Sequence, residues 1–315
     1  MGILVAYAIE RPLPAFAQPR DEIQFTATGA TTWVNFGTAL EDGTHLLILN
    51  AKARTVVTSP DARVGGAGAV TCSGVWHTNR VGLEWGSFQI SNAGGSWDGY
   101  WQGTNSCENG RLVTSILLTA EGSARYQGLV LRSTGTAVDY GPIQWTGHII
   151  KDIRGSRPYR LKGLRLDGLV KISGMLLDPL TLRPTGVSGA MAWIVISTED
   201  GEASYLGRTL EHGLGLLDPA TGVSSMMGTA TPADSQDHEV LHWVAAATTD
   251  LRTGAANAEV HFAGGTGRFE DATGGFYGRV TVITSATPDP TILHGMFRYD
   301  AAGTIRFSGP PQRNE

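Results

Sequence analysis

Residues Ala263–Ala272 read AGGTGRFEDA, and Ala120–Leu129, in the other half of the chain, read AEGSARYQGL. Each is a Gly-containing turn that carries an Arg-aromatic pair. An alternating strand and then Trp145-Thr146-Gly147-His148-Ile149 follow the earlier copy, while Phe276–Ile283 and then Leu293-His294-Gly295-Met296-Phe297 follow the later one. The order of parts is the same, so the chain holds a weak internal repeat. Glycine suits such turns because it accepts positive φ, and inside strands it lets a sheet bend sharply enough to close.

Outward from these copies, both halves show period-two stretches: Gly95–Gln102, Leu112–Leu118, Ala190–Ser197, Glu259–Ala263 and Thr291–Tyr299. The 42 glycines among 315 residues are dispersed between Thr, Val and aromatic residues, which favours many turns and short strands over disorder. The fold class expected is all-β: two tandem antiparallel β-barrels over 20–155 and 160–310, behind an N-terminal arm over 1–19, with a short basic linker around Arg154–Arg165.

Lys plus Arg number 24 against 29 Asp plus Glu, a formal charge of −5, and no basic run with interleaved aromatics occurs. Phosphate binding needs a concentrated positive surface, so no nucleic-acid partner is expected. No stretch approaches the roughly 18 apolar residues of a membrane span, and the chain reads as soluble with no membrane partner. Ala15-Phe16-Ala17 before Gln18 has the small-x-small form of a signal-peptidase site, though a basic start is missing and Glu10-Arg11 interrupt the apolar run. Residual export signal and plain N-terminal arm are both open; export is slightly favoured. Cys72 and Cys107 permit one disulfide, which would suit an exported protein, or two thiols in a reducing cell.

The segment Gly264–Gly278, GGTGRFEDATGGFYG, resembles the signature of the allene oxide cyclase and dirigent-like β-barrel superfamily. Ala203–Thr209, ASYLGRT, resembles an S-H-L-G-R segment of its bacterial members, with Tyr205 where histidine is usual. The resemblance covers roughly residues 165–308 and is fainter in the first half, carried there by GGSWDGYWQGT and ARYQGL. It implies an eight-stranded barrel of lipocalin-like shape and members that often trimerise, so a homo-oligomer is a possible assembly.

His238-Glu239-Val240-Leu241-His242 matches the H-E-x-x-H pattern of zinc peptidases. That pattern binds metal only on a helix, where residues four apart share a face about 6 Å apart. In the resembling family this place is a turn and the start of a strand, and at about 3.3 Å per residue the two imidazoles would stand roughly 13 Å apart. No metal and no cofactor are expected.

An eight-stranded barrel is filled by side chains or holds one small ligand, so candidate residues are polar or aromatic groups on strands. Trp76, Trp85, Trp97 and Trp101 are the ligand-binding candidates of the first half, joined by Glu84 and Asp98 as catalytic ones and by His77 and Tyr100. Period two puts Trp97 and Trp101 on one face and Asp98 and Tyr100 on the other. In the second half Tyr205 and Arg208 are candidate ligand contacts, His242 is a candidate acid or base, and Trp243 and His261 lie near. The function expected is a cofactor-independent protein acting on a small apolar or aromatic molecule, of isomerase or cyclase type, since a shaped cavity supplies much of the rate in such reactions. An exported carbohydrate- or partner-binding module without catalysis is the alternative, and a zinc hydrolase the third reading.

Overall fold

Along Ala51–Thr58 the buried residues Ala51, Ala53, Thr55 and Val57 alternate with the exposed Lys52, Arg54, Val56 and Thr58. This is a strand with one dry and one wet face, the pattern a closed sheet imposes. It belongs to a computed structural model that describes residues 22–151, 155–233, 239–250, 252–253, 255–286 and 292–307. The N-terminal arm with its cleavage-like Ala15-Phe16-Ala17, and His238, lie outside the described residues.

The strands are β1 (Glu22–Asn35), β2 (Thr38–Glu41), β3 (His45–Thr58), β4 (Gly66–His77), β5 (Gly82–Asn92), β6 (Gly95–Glu108), β7 (Arg111–Gly122), β8 (Leu129–Val138), β9 (Ile143–Lys151), β10 (Arg157–Leu177), β11 (Pro184–Ala203), β12 (Gly207–Leu217), β13 (Val223–Pro232), β14 (Leu241–Asp250), β15 (Ala255–Gly265), β16 (Thr273–Ala286) and β17 (Ile292–Arg306). All pairings are antiparallel. β3 to β9 pair in sequence order, and β1 pairs with both β3 and β9, which closes an eight-stranded barrel. β10 to β17 also pair in order, and β17 returns to β10. The short β2 bridges the two runs, pairing with β3 and with β10.

The repeat visible in the sequence occupies matching places in the two runs. Between β7 and β8 a 3-10 turn, Ala124–Tyr126, buries Tyr126; between β15 and β16 a second, Gly267–Phe269, buries Phe269. Gly122 makes the first turn possible, because a Cβ there would stand 2.2 Å from the Tyr126 carbonyl oxygen. Residues 157–165 are not the linker expected from their basic character: they form the start of β10, whose ladder with β17 begins at Arg157↔Ile305.

Apolar side chains gather in three places. One cluster fills the β1–β9 barrel around Phe25, Trp76, Phe88, Trp97, Trp101 and Trp145, and another fills the β10–β17 run around Tyr159, Trp243, Phe262, Phe269 and Phe276. A third, with Leu40, Leu47, Trp85, Leu216 and Val244, lies on the outer faces where the two runs meet. Each fully buried Trp contributes on the order of 3–5 kcal/mol from the area it removes from water. Trp85 also crosses this seam by donating from Nε1 to Ser225 Oγ at 2.8 Å.

Candidate functional site

Glu84 faces the barrel interior. On β5 its ladder partners are Gly74 of β4 and Gly103 of β6, so neither neighbour carries a side chain to crowd the carboxyl. A Cβ at Gly103 would stand 3.1 Å from Glu84 Cγ. Two residues further along β6, on the same face, the buried Asn105 hydrogen-bonds Glu84. The Thr114 hydroxyl of β7 donates to Asn105 Oδ1, and that leaves the Asn105 amide N–H groups to serve the carboxyl.

Burial pushes the Glu84 carboxyl up to about 7, against the Asn105 hydrogen bond that favours the charged form. The group therefore sits near half ionisation at neutral pH, the condition under which one carboxyl can both take and return a proton. Part of its surface stays open although it lies deep in the protein. Cys72 shares the inward face, fully enclosed, its thiol pushed up by burial and then by the Glu84 charge. The Trp76 indole packs against Gly74, where a Cβ would stand 2.3 Å from its Cη2. Above this end of the barrel, Arg80 of the β4–β5 turn stacks its guanidinium 5.5 Å from the ring centre of Tyr140 in the β8–β9 turn.

The other residues singled out in the sequence are not gathered here. Trp97 and Trp101 do point inward, with Asp98 and Tyr100 outward as their spacing requires. Trp97 belongs to the opposite end of the bore, stacked on Tyr126 at 5.1 Å and donating from Nε1 to the Arg63 carbonyl at 2.7 Å. Asp98 is exposed on the outer wall, where Gln89 Nε2 and Ser96 Oγ donate to it. Trp85, next to Glu84 and so on the opposite face, packs in the seam.

His242 also lies in the seam, on the outer face of β14, its Nδ1 2.8 Å from Gln102 Oε1. Burial pushes its imidazole down to about 4, so the ring is neutral at pH 7. The residue is in a strand, and Glu239, outside any strand, pairs with Arg268 at 3.0 Å. Among the described residues no cluster of three or more His, Cys, Asp and Glu could hold a metal ion. Tyr205 sits in the β11–β12 turn at φ +69°, its carbonyl accepting from Arg268 and its ring edge-on to Phe307 at 5.4 Å. Arg208 is exposed and pairs with Asp200 at 3.0 Å. Cys72 and Cys107 are both free thiols, one buried and one exposed.

Asn105 and Thr114 are not among the candidates the sequence offers, and Cys72 stands there only as a possible disulfide partner. The signal for Asn105 was there: it shares parity with Trp97 and Trp101, so the spacing that turns those indoles inward turns Asn105 inward too.

No family model matches the chain, and no curated protein does. Among solved structures, OccK2 (OpdF) of Pseudomonas aeruginosa in complex with glucuronate is 11% identical over 91% of this chain and 97% of that chain, with a TM-score of 0.18. OprD of the same organism is 10% identical over 94% of this chain and 98% of that one, with a TM-score of 0.19. Similarity at that level carries no argument about fold or function.

Proposed function

We propose that the β1–β9 barrel binds a small, largely apolar molecule at the end of its bore and isomerises or cyclises it without a cofactor, with Glu84 moving the proton. The observation that carries this reading is Glu84 itself: an inward carboxyl held near pH 7 between glycines, beside Asn105 and Thr114, under the Trp76 ring. Trp76 and Cys72 supply apolar contact, and the Asn105–Thr114 pair fixes the carboxyl's orientation. A reaction that shifts a proton between two carbons needs a single group of this kind, returned to its starting state each turnover.

The same reading takes β10–β17 as a second barrel of like design, in tandem with the first, and the chain as a relative of the allene oxide cyclase and dirigent-like proteins. The repeated 3-10 turn with its buried aromatic supports this. The test is turnover of β,γ-unsaturated ketones and unsaturated epoxides in D2O, followed by mass spectrometry. Wild type should give isomerised product carrying deuterium, and Glu84→Gln should lose about 10²- to 10⁴-fold in rate while still binding the substrate. An unchanged rate in Glu84→Gln would sink the assignment.

A further inference from the structure

On the outer wall of the β10–β17 run, beside the seam, lies a cleft of about 570 Å³ lined by Asn50, Ala246, Asn257, Glu259, Tyr277 and Arg279. The ladder sets these residues on one face: Glu259 stands opposite Tyr277, Asn257 opposite Arg279, and Ala246 opposite Glu259. Tyr277 is 73% exposed, an unusual degree for so large a ring.

This ring is tethered through its hydroxyl. Its hydroxyl donates to Glu259 Oε1 at 2.8 Å, and His261 Nε2 stands 2.8 Å from the same oxygen. The imidazole in turn stacks on Tyr100 of β6, ring centres 4.0 Å apart and planes within 11°. A chain of contacts running into the seam therefore tethers the hydroxyl end of the exposed ring. From the facing side, Asn50 sits at a break in the β3–β4 register with φ +61°, the kind of bulge that re-aims a side chain out of its ladder.

We propose that this cleft binds a neutral saccharide, with Tyr277 as the platform under the apolar face of a sugar ring and Glu259, Asn257 and Asn50 meeting its hydroxyls. A tethered aromatic surface beside a carboxylate and two primary amides matches a polyol, which presents one C–H face and a rim of donors and acceptors. Both donors to Glu259 converge on Oε1, leaving Oε2 to accept from the ligand. The small Ala246 keeps the floor low. Other ligand classes fit less well. In this cleft the charges of Glu259 and Arg279 offset one another, which favours a neutral ligand over a charged polymer, and an added peptide strand would find β15 and β16 already paired on both sides. The site is separate from the Glu84 bore and does not depend on any reaction there.

The proposal is tested by saturation-transfer NMR with cellotetraose, xylotetraose and chitotetraose as probes. At least one should bind saturably to the wild-type chain, at least tenfold more weakly to Tyr277→Ala and Glu259→Gln, with Tyr277→Phe in between. Glu84→Gln should bind it like wild type, which separates this cleft from the bore. Unfolding midpoints close to wild type in the Tyr277 variants would exclude misfolding as the cause. Failure of all three sugars to bind wild type, or undiminished binding by Tyr277→Ala, would overturn the assignment.

Discussion

Gln102 of β6 and His242 of β14 are joined across the seam by a single hydrogen bond, Nδ1 to Oε1, 2.8 Å long. The other end of the same amide donates to the carbonyl oxygens of Gly228 at 3.1 Å and Trp243 at 2.7 Å. Those two bonds fix which end of the amide is nitrogen, so Oε1 accepts and His242 must carry its proton on Nδ1. One buried glutamine thus sets the tautomer of a histidine in the other run of strands.

Removing that amide should be costly. Gln102→Leu leaves the buried imidazole N–H without its acceptor and takes one donor from each of two carbonyl oxygens, and a group left fully unsatisfied costs about 1–3 kcal/mol. A loss of roughly 2–5 kcal/mol in unfolding free energy is expected by urea denaturation. Adding His242→Phe to Gln102→Leu should recover part of it, because an apolar pair leaves fewer groups unsatisfied. Trp85→Phe, which loses the bond to Ser225 and part of the indole's packing in the seam, should cost about 2–3 kcal/mol.

The seam also explains what the sequence could not convey. Alternation of buried and exposed residues identifies the inner face of a strand only where the outer face is wet, as along Ala51–Thr58. The recurring turn that buries Tyr126 and Phe269 was legible, as was the alternation along Leu112–Leu118 of β7. On β5 and β6 both faces are dry: Trp85 and Gln102 are buried outward against the second run while Trp97 and Trp101 are buried inward. Adjacent residues such as Glu84 and Trp85 therefore looked like members of one site, although the backbone sends them to opposite sides of the wall. His242 read as an acid or base for the same reason, since nothing local in its sequence announces that Gln102 will cover it.

Two buried groups should leave opposite marks on stability against pH. Glu84, raised to about 7 from 4.5, adds stability that is complete below about pH 4.5 and is lost as pH rises through about 7. His242, lowered to about 4 from 6.5, adds stability that is complete above about pH 6.5 and is lost as pH falls through about 4. Between roughly pH 4.5 and 6.5 the two slopes cancel in the intact chain. Relative to wild type, Glu84→Gln should grow more stable as pH rises across that window and His242→Gln less, each by up to about 1.4 kcal/mol per pH unit. Urea midpoints measured at half-unit steps would reveal a missing slope in either variant.

Thiol chemistry should separate the two cysteines. Cys107 is exposed near the end of β6, whereas Cys72 is enclosed in the bore with its thiol held well above its usual range. Only a thiolate attacks a disulfide reagent, so Cys72 is shielded both by lack of access and by lack of charge. Titration with an aromatic disulfide reagent should count one reactive thiol per native chain and two in denaturant, and Cys107→Ser should abolish the fast phase. Two fast thiols in the native protein would show that the bore is open as far as Cys72.

Trp97 and Trp76 lie toward opposite ends of the same bore, and truncating them should have different consequences. Trp97→Ala removes the stack on Tyr126 and the bond to the Arg63 carbonyl and opens a cavity at that end of the bore, at a cost of about 3–5 kcal/mol. It should leave binding of an apolar dye near Glu84 within a few-fold of wild type, provided the protein is studied well below its unfolding transition. Trp76 instead covers Gly74 beside the Glu84 carboxyl, so Trp76→Ala should change dye affinity and emission directly, by tenfold or more. Titrating both variants with the same naphthalene dye checks the distinction. If Trp97→Ala proved the more damaging to binding, the ligand would have to sit at the Tyr126 end, and Glu84 would be too distant to act on it.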